Sequence, residues 1–148
     1  MSETGMDKLR CRAEMQSLET LLEFVSERAG ALGLPPELDG KVRLVLEELL
    51  VNVISYAYPD GNGDVEIECG VSGRGAAGHR FTVRLRDWGQ AFDPLGKQTP
   101  DISAGVDERP IGGLGIMLAV EMSDHLAYAR EGDVNMLEAA FDYGDAGS

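Results

Sequence analysis

The chain has 148 residues, of which 43% are hydrophobic and 26% are charged, so we expect one globular domain spanning residues 1–148. Its 13 Lys and Arg residues against 26 Asp and Glu residues give a formal net charge of −13 at pH 7. Because so acidic a surface repels phosphate backbones and anionic lipid headgroups, we expect neither a nucleic acid nor a membrane as the partner.

The first part of the chain predicts a strand and two helices. Residues 7–13 alternate apolar and basic side chains, which is typical of a short strand. Residues 14–34 carry apolar side chains at helical spacing until Gly33 and a following proline pair. Residues 37–58 repeat apolar positions at intervals of three and one, which predicts a long helix with one broad apolar face.

A hairpin comes next, followed by a long segment without periodicity. Residues 65–72 and 81–86 alternate apolar and polar side chains, which is typical of antiparallel strands with one face covered by helices. Residues 96–111, GKQTPDISAGVDERPI, show neither helical nor strand periodicity. So long a loop in so small a domain is often functional.

The last part of the chain predicts a helix and a closing hairpin. The helix is the glycine-led apolar segment 112–124, and the hairpin strands are residues 125–131 and 134–143. The predicted order is therefore β-α-α-β-β-loop-α-β-β. It indicates an α+β fold, a two-layer sandwich in which helices cover one face of a mostly antiparallel sheet.

The two cysteines, Cys11 and Cys69, bear on the cellular compartment in which the protein works. They stand far apart in strand-like segments and form no disulfide framework, which favours a reducing environment. No apolar run approaches the roughly 18 residues of a membrane helix, and the first ten residues lack a signal-peptide core. We therefore expect a cytoplasmic protein.

In the long helix, EELLVN places Glu48 and Asn52 four residues apart on one stripe beside the apolar face. A carboxylate and an amide oxygen so placed can hold a hard cation such as Mg²⁺, and the carboxylate can also accept a proton. The alternative is a solvated Glu and an Asn that the helix tolerates.

The segment RDWGQAFDPL, residues 86–95, ends a strand with Asp87 and places Gly89 two positions later. A glycine there lets a flat ligand approach the backbone, and a carboxylate in such a pocket can accept a hydrogen bond from an exocyclic amine. The alternative is an ordinary polar turn.

The segment GGLG, residues 112–115, opens a helix after the aperiodic loop. A helix N-terminus presents unpaired N–H groups and a positive dipole, and glycines let phosphate oxygens come close. The segment is neither a P-loop nor a dinucleotide fingerprint, because no Gly-Lys-Ser/Thr follows and no buried parallel strand precedes it.

These three motifs, in this order on an α+β background, resemble the GHKL ATPase fold. That fold is shared by gyrase, histidine kinases, mismatch-repair MutL proteins and the bacterial anti-sigma factor serine kinases. The resemblance covers roughly residues 8–142 and is greatest to the anti-sigma factor serine kinases. It rests on LEELLVNVISYAYPDG, RDWGQAFDP and GGLGIMLAVEMSD, with EGDVNMLEAAF a weaker match.

The resemblance implies ATP and Mg²⁺ as cofactors and gives roles to single residues. Glu48 is expected to be the general base, and Asn52 to bind Mg²⁺. Asp87 is expected to accept the adenine amino group, and Gly89 to leave room for the base.

The resemblance also implies where the phosphates bind. Backbone N–H groups of Gly113, Leu114 and Gly115 are expected to hold them. Residues 96–111 are expected to form the ATP lid, in which we place Arg109 near phosphate.

Two positions depart from the family pattern. A histidine is usual four residues after the Mg²⁺-binding Asn, where this chain has Tyr56. The closing strand of the family often carries a Thr near adenine, where we expect Glu138 to stand, an awkward neighbour for a base read by Asp87.

The function implied is an ATP-dependent protein-serine/threonine kinase that is also an anti-sigma factor. It would phosphorylate a small STAS-type anti-sigma-factor antagonist and bind a sigma factor, or another regulated protein, in exchange. The alternative is a module that sequesters a partner, with or without a nucleotide, and has no kinase activity. A homodimer through residues 10–24 is a further expectation, although the apolar stripe there could equally cover the sheet.

Overall fold

The computed structural model describes residues 6–72, 78–91 and 113–144. The elements in these residues follow the predicted order, while the expected lid, residues 96–111 with Arg109, lies outside the described residues. The helices and strands are β1 (Asp7–Arg12), a short 3-10 helix (Met15–Ser17), α1 (Leu18–Ala31), α2 (Pro36–Tyr56), β2 (Asp64–Ser72), β3 (His79–Asp87), α3 (Gly113–Met122), β4 (His125–Glu131) and β5 (Val134–Tyr143).

The short link between α1 and α2 is explained by its residue types. Gly33 has φ +87, the left-handed conformation that commonly follows a helix end and that favours glycine. The Gly33 N–H donates to the Gly30 carbonyl at 3.2 Å, and the Leu34 N–H donates to the Ala29 carbonyl at 3.0 Å. Pro36 then occupies the first turn of α2, where its missing N–H costs nothing.

The five strands form one sheet in the order β1-β2-β3-β5-β4, and each neighbouring pair is antiparallel. The predicted α+β class, with helices over an antiparallel sheet, is confirmed. The register sets Asp87, the last residue of β3, opposite Val65 of β2 on one side and Asn135 of β5 on the other.

One face of the sheet packs against the helices to form the hydrophobic core. Each fully buried aliphatic side chain there contributes about 1.5–3 kcal/mol to folding. The apolar side chains of α1 lie in this core. This agrees with the alternative that the stripe covers the sheet rather than forming a dimer face. Core residues include Leu21, Leu22 and Val25 of α1, Leu46, Leu49, Leu50 and Val53 of α2, Val65, Ile67 and Cys69 of β2, Phe81, Val83 and Leu85 of β3, and Leu137, Ala139 and Phe141 of β5.

Cys69 behaves as a core residue. Burial raises the pKa of its thiol to about 12, so the thiol is protonated at neutral pH and unreactive. Cys11 and Cys69 are both free. No helix within residues 6–72, 78–91 and 113–144 is long and apolar enough to span a bilayer.

The opposite face of the sheet carries a ladder of paired charges. Arg84 of β3 lies between Glu68 of β2, at 3.5 Å, and Glu138 of β5, at 3.2 Å. Arg86 bonds Glu68 as well. Glu68 is only 5% exposed on the face opposite the core, where Arg84 and Arg86 pair with its carboxylate.

The ladder corrects the expectation for Glu138. Side chains alternate between the two faces of a strand, so Glu138 points away from the face that carries Leu137 and Ala139. Its carboxylate meets Arg84 and, at 3.6 Å, His125. It is therefore no neighbour of the Asp87 side chain, and the predicted conflict between two carboxylates does not arise.

Gly89 lies where the turn after β3 meets the end of α2. A Cβ atom at Gly89 would stand 2.1 Å from the Ala57 carbonyl oxygen and 2.6 Å from the carbonyl carbon. The same oxygen accepts a hydrogen bond from the Gln90 N–H at 2.8 Å. A larger residue at position 89 would therefore clash with the end of α2. Sequence analysis did not predict this packing reason for a glycine.

We therefore expect Gly89→Ala to lower the free energy of unfolding by about 3 kcal/mol, because backbone must move to admit the methyl group. The matched control is Gly40→Ala in α2, where an added Cβ meets nothing within 4 Å. That control should raise the free energy of unfolding by about 0.5–1 kcal/mol. Urea unfolding measures both, and a Gly89→Ala variant as stable as the wild type would contradict the packing role.

Candidate functional site

Glu48 and Asn52 lie on α2 on the stripe predicted for them. Asn52 is 5% exposed, whereas Glu48 is half-buried. The Asn52 Nδ2 donates to the Glu48 backbone carbonyl at 2.8 Å, which satisfies one of the two N–H groups of the amide. Among the described residues no group donates to the amide oxygen Oδ1, which is the atom that Asn52 can offer to a cation.

Asp87 is a buried carboxylate at the end of β3, 2% exposed. Its Oδ1 accepts hydrogen bonds from the Gly89 N–H at 3.0 Å and from Asn135 Nδ2 at 2.9 Å. Within the described part of the chain, no group donates to Oδ2. One oxygen is therefore held by the protein while the other remains able to accept a bond from a ligand.

Asn135 is the site residue that sequence analysis missed. It is 2% exposed and lies on the apolar face of β5, in phase with Leu137 and Ala139. Two sequence signals pointed to it: its place in the weakly matching segment EGDVNMLEAAF, and an amide where the alternation of β5 predicts an apolar side chain. Its pairing with Asp87 depends on the register between β3 and β5, which the sequence does not state.

The turn that carries Asp87 is held from two sides. On the helix side, Tyr58 Oη accepts a bond from the Trp88 N–H at 2.8 Å and donates to the Asp64 carbonyl at 2.6 Å. On the sheet side, Arg130 Nη1 donates to the Gly89 carbonyl at 2.9 Å. The position of the carboxylate is therefore fixed by elements that are distant in the chain.

The Trp88 side chain packs against a residue of β1. The Arg10 guanidinium lies 4.2 Å from the centroid of the indole ring, a cation–π contact between β1 and the turn. Its ring therefore already has a partner.

Burial dominates the electrostatics of Asp87. Desolvation raises the pKa of this carboxyl above its usual value of 3.8, while the hydrogen bonds from Asn135 and Gly89 and the charge of Arg130 lower it. A carboxylate kept in so apolar a place interacts strongly with any donor that a ligand brings.

The elements that carry the three predicted motifs pack against one another at α2. Its C-terminal end contacts the turn after Asp87, through Ala57 and through the Tyr56 carbonyl, which accepts a bond from Gln90 Nε2 at 2.8 Å. Asn52 precedes Ala57 by roughly 7.5 Å along the helix axis. Helix α3, which begins at Gly113, packs against α2 as well.

Gly113, Leu114 and Gly115 form the first turn of α3, so the motif opens a helix as predicted. Their backbone N–H groups belong to the turn whose donors have no partner inside a helix. This arrangement suits an anion, and it remains a prediction that the anion is a phosphate.

The described residues contain no cluster of three or more His, Cys, Asp or Glu side chains able to hold a metal ion. Mg²⁺ is usually bound by one or two protein oxygens together with phosphates and water. The oxygen that Asn52 offers fits such a role.

The raised pKa of Asp87 makes its charge a cost to stability. Native Asp87 binds its proton more tightly than the unfolded chain does, so stability falls as the pH rises from 3.8 through the higher native pKa. We expect Asp87→Asn to raise the free energy of unfolding at pH 7 by about 1 kcal/mol, a usual gain for one stabilising substitution. The gain should disappear below about pH 3, where Asp is neutral in both states.

Urea unfolding at pH 7 and at pH 3 measures this difference. Asp133→Asn is the matched control, because Asp133 is exposed in the β4–β5 turn, and it should change stability by less than about 0.5 kcal/mol. An Asp87→Asn variant less stable than the wild type at pH 7 would contradict the claim that burying the Asp87 charge destabilises the protein.

Comparisons with known proteins identify the fold and the family of the chain. No protein of curated function matches the chain. Among solved structures, the RsbU and RsbW domains of Rv1364c from Mycobacterium tuberculosis match 94% of this chain at 12% identity and a TM-score of 0.60, over 34% of their own length. The Acinetobacter baumannii histidine kinase AdeS matches 91% at 14% identity and a TM-score of 0.50, over 66% of its length.

This chain therefore spans about a third of the Mycobacterium structure and slightly under two thirds of the Acinetobacter structure. Identities this low show a shared fold. The model of one family, the histidine kinase-like ATPase domain, matches residues 11–141, which is most of the chain. The resemblance to the GHKL fold is thereby confirmed, and the chain belongs to the family of histidine kinase-like ATPase domains.

Proposed function

We propose that the chain is an ATP-dependent protein-serine/threonine kinase and anti-sigma factor of a partner-switching system. Its substrate is a small STAS-type anti-sigma-factor antagonist, and its other partner is a sigma factor or another regulated protein. The observation that carries the proposal is the buried Asp87 carboxylate, with one oxygen held by the protein and the other left for a ligand. The similarity in fold to a structure that contains an RsbW domain supports it.

Each motif has a task in this proposal. Asp87 Oδ2 accepts a hydrogen bond from the exocyclic amine of adenine, and the first-turn N–H groups of α3 hold phosphate oxygens. The amide oxygen of Asn52 is the protein ligand of Mg²⁺, which neutralises phosphate charge when bound. Glu48, one helical turn before Asn52, accepts the proton of the attacking hydroxyl group.

The half-buried position of Glu48 suits a general base. A carboxylate at the border of the core can be reached by a hydroxyl group from solvent. In-line transfer of the γ-phosphoryl group depends mainly on positioning and charge neutralisation, so a rigid helix such as α2 is a suitable support.

The second candidate function is a module that sequesters a partner without phosphorylating it. The presence of Tyr56 where the family usually has histidine favours this alternative. The Glu138 departure no longer does, because that side chain is paired on the opposite face of the sheet. Under both candidates we propose a cytoplasmic protein that acts on other proteins, with a homodimer as its assembly.

We expect the chain to bind ATP with a micromolar Kd, more tightly with Mg²⁺ than without it. Asp87→Asn should weaken ATP binding by at least about tenfold, because a hydrogen bond to a buried charge is lost. Isothermal titration calorimetry measures both effects, with Asp133→Asn as the control that should bind like the wild type. A wild-type chain that binds no ATP would favour the nucleotide-free sequestering module.

The kinase proposal is tested by phosphoryl transfer from radiolabelled ATP to a purified STAS-type antagonist domain. Glu48→Gln should lower the transfer rate by about 100-fold or more, the usual contribution of a general base, while ATP binding is retained. Glu47→Gln is the matched control, since Glu47 is the exposed neighbour off the stripe, and it should transfer normally. Full activity in Glu48→Gln would contradict the role of Glu48.

A further inference from the structure

A chain of hydrogen-bonded polar side chains leads from the half-buried Tyr128 of β4 through the buried Asn135 of β5 to Asp87. Asn135 Nδ2 donates to Asp87 Oδ1 at 2.9 Å and to the Gln90 carbonyl at 2.8 Å. Asn135 Oδ1 accepts a hydrogen bond from the Tyr128 hydroxyl. Both amide hydrogens and the amide oxygen of Asn135 are therefore used inside the protein, so this side chain acts on a ligand only through Asp87.

Packing alone does not account for Asn135. The position lies on the core face of β5, where Leu137, Ala139 and Phe141 follow at alternate positions. A buried amide costs free energy unless all its groups are paired, and an apolar side chain would carry no such cost. What the amide supplies is a donor directly opposite Asp87 in the register of β3 and β5.

Two acceptors, Asp87 Oδ1 and the Gln90 carbonyl, require the amide nitrogen of Asn135 on their side, and Tyr128 supports this orientation. Its hydroxyl donates to Asn135 Oδ1, which leaves Nδ2 on the side of the carboxylate. A flipped amide would place its oxygen against the Asp87 carboxylate, and two acceptors repel each other. The pair of Asn135 and Tyr128 thus matches a charged Asp87 whose Oδ1 is directed inward.

This arrangement has a consequence for the ligand. With the Gly89 N–H and Asn135 both bonded to Oδ1, the free Oδ2 of an ionised Asp87 accepts a bond from an amine and repels a carbonyl oxygen. We propose that Asn135, oriented by Tyr128, is the positioning residue that keeps Asp87 ionised and aligned, and thereby selects a 6-amino purine over a 6-oxo purine. The selection of the base rests on the proposed function.

The groups that face Asp87 show in which direction its pKa should change when Asn135 is removed. Arg130 of β4 favours the ionised form, whereas burial opposes it. Tyr58, after α2, is uncharged at neutral pH, and burial raises the pKa of its phenol further. From β2 the residue opposite is the apolar Val65. Removal of the Asn135 donor leaves burial less opposed, so the pKa of Asp87 should rise further.

The experiment compares the wild type with Asn135→Ala, Tyr128→Phe and Glu138→Gln. Glu138→Gln is the matched control on β5, because its contacts lie on the other face of the sheet. The pKa of the Asp87 carboxyl group is measured in the ligand-free proteins by ¹³C NMR titration. The Kd values of ATP and ITP are measured by calorimetry, since ITP carries a 6-oxo group in place of the 6-amino group.

Asn135→Ala should raise the pKa of Asp87, weaken ATP binding about tenfold and change ITP binding by less than about twofold. ATP binding by this variant should also be lost at a higher pH than in the wild type, as the pH is lowered. Tyr128→Phe should give smaller changes in the same directions, and it keeps the test decisive if Asn135→Ala does not fold. Glu138→Gln should match the wild type in all three measurements.

The outcomes separate this inference from the proposed function. A wild type that binds ATP, with both variants keeping the wild-type Asp87 pKa and the wild-type ratio of ATP to ITP affinity, would overturn the inference alone. A wild type that binds no nucleotide would overturn the proposed function and the selection of the base with it. The pKa comparison, made without ligand, would still decide whether Asn135 positions Asp87.

Discussion

The burial of one carboxylate, Asp87, is the constraint on which the candidate site depends. A buried charge is tolerated only where donors and opposite charges meet it. Here the donors come from the Gly89 backbone and from Asn135, with the positive charge of Arg130 nearby. Since these groups belong to the turn after β3 and to the β4–β5 hairpin, the carboxylate exists in this state only in the folded chain.

The same turn joins the helix layer to the sheet. The close approach of Gly89 to Ala57 brings the end of α2 against the end of β3. Tyr58 bonds the backbone of both β2 and the turn. As a result, the helix that carries Glu48 and Asn52 and the strand that ends in Asp87 are held in one fixed relation. A site assembled from separate elements needs such rigidity if it is to position a reacting group.

The two faces of the sheet have different tasks. The helix-covered face supplies the apolar core and, at its end, Asp87 and Asn135. The open face carries alternating columns of acidic and basic side chains, among them Glu68, Arg84 and Glu138. These charges pair with one another across the strands. Acidic side chains on the open face therefore have basic partners, even though the protein as a whole is strongly acidic.

The sequence by itself determined the elements and their order, because hydrophobic periodicity is a local property that survives without the fold. The three-and-one spacing of α2 and the alternation of β3 were sufficient to place Glu48, Asn52 and Asp87 on their elements. Only the tertiary structure decided which residues meet. Strand register set Asn135 opposite Asp87 and turned Glu138 to the open face, and the approach of α2 gave Gly89 its second reason to be glycine. Register and approach depend on how all the layers pack together, and no local pattern of residues records them.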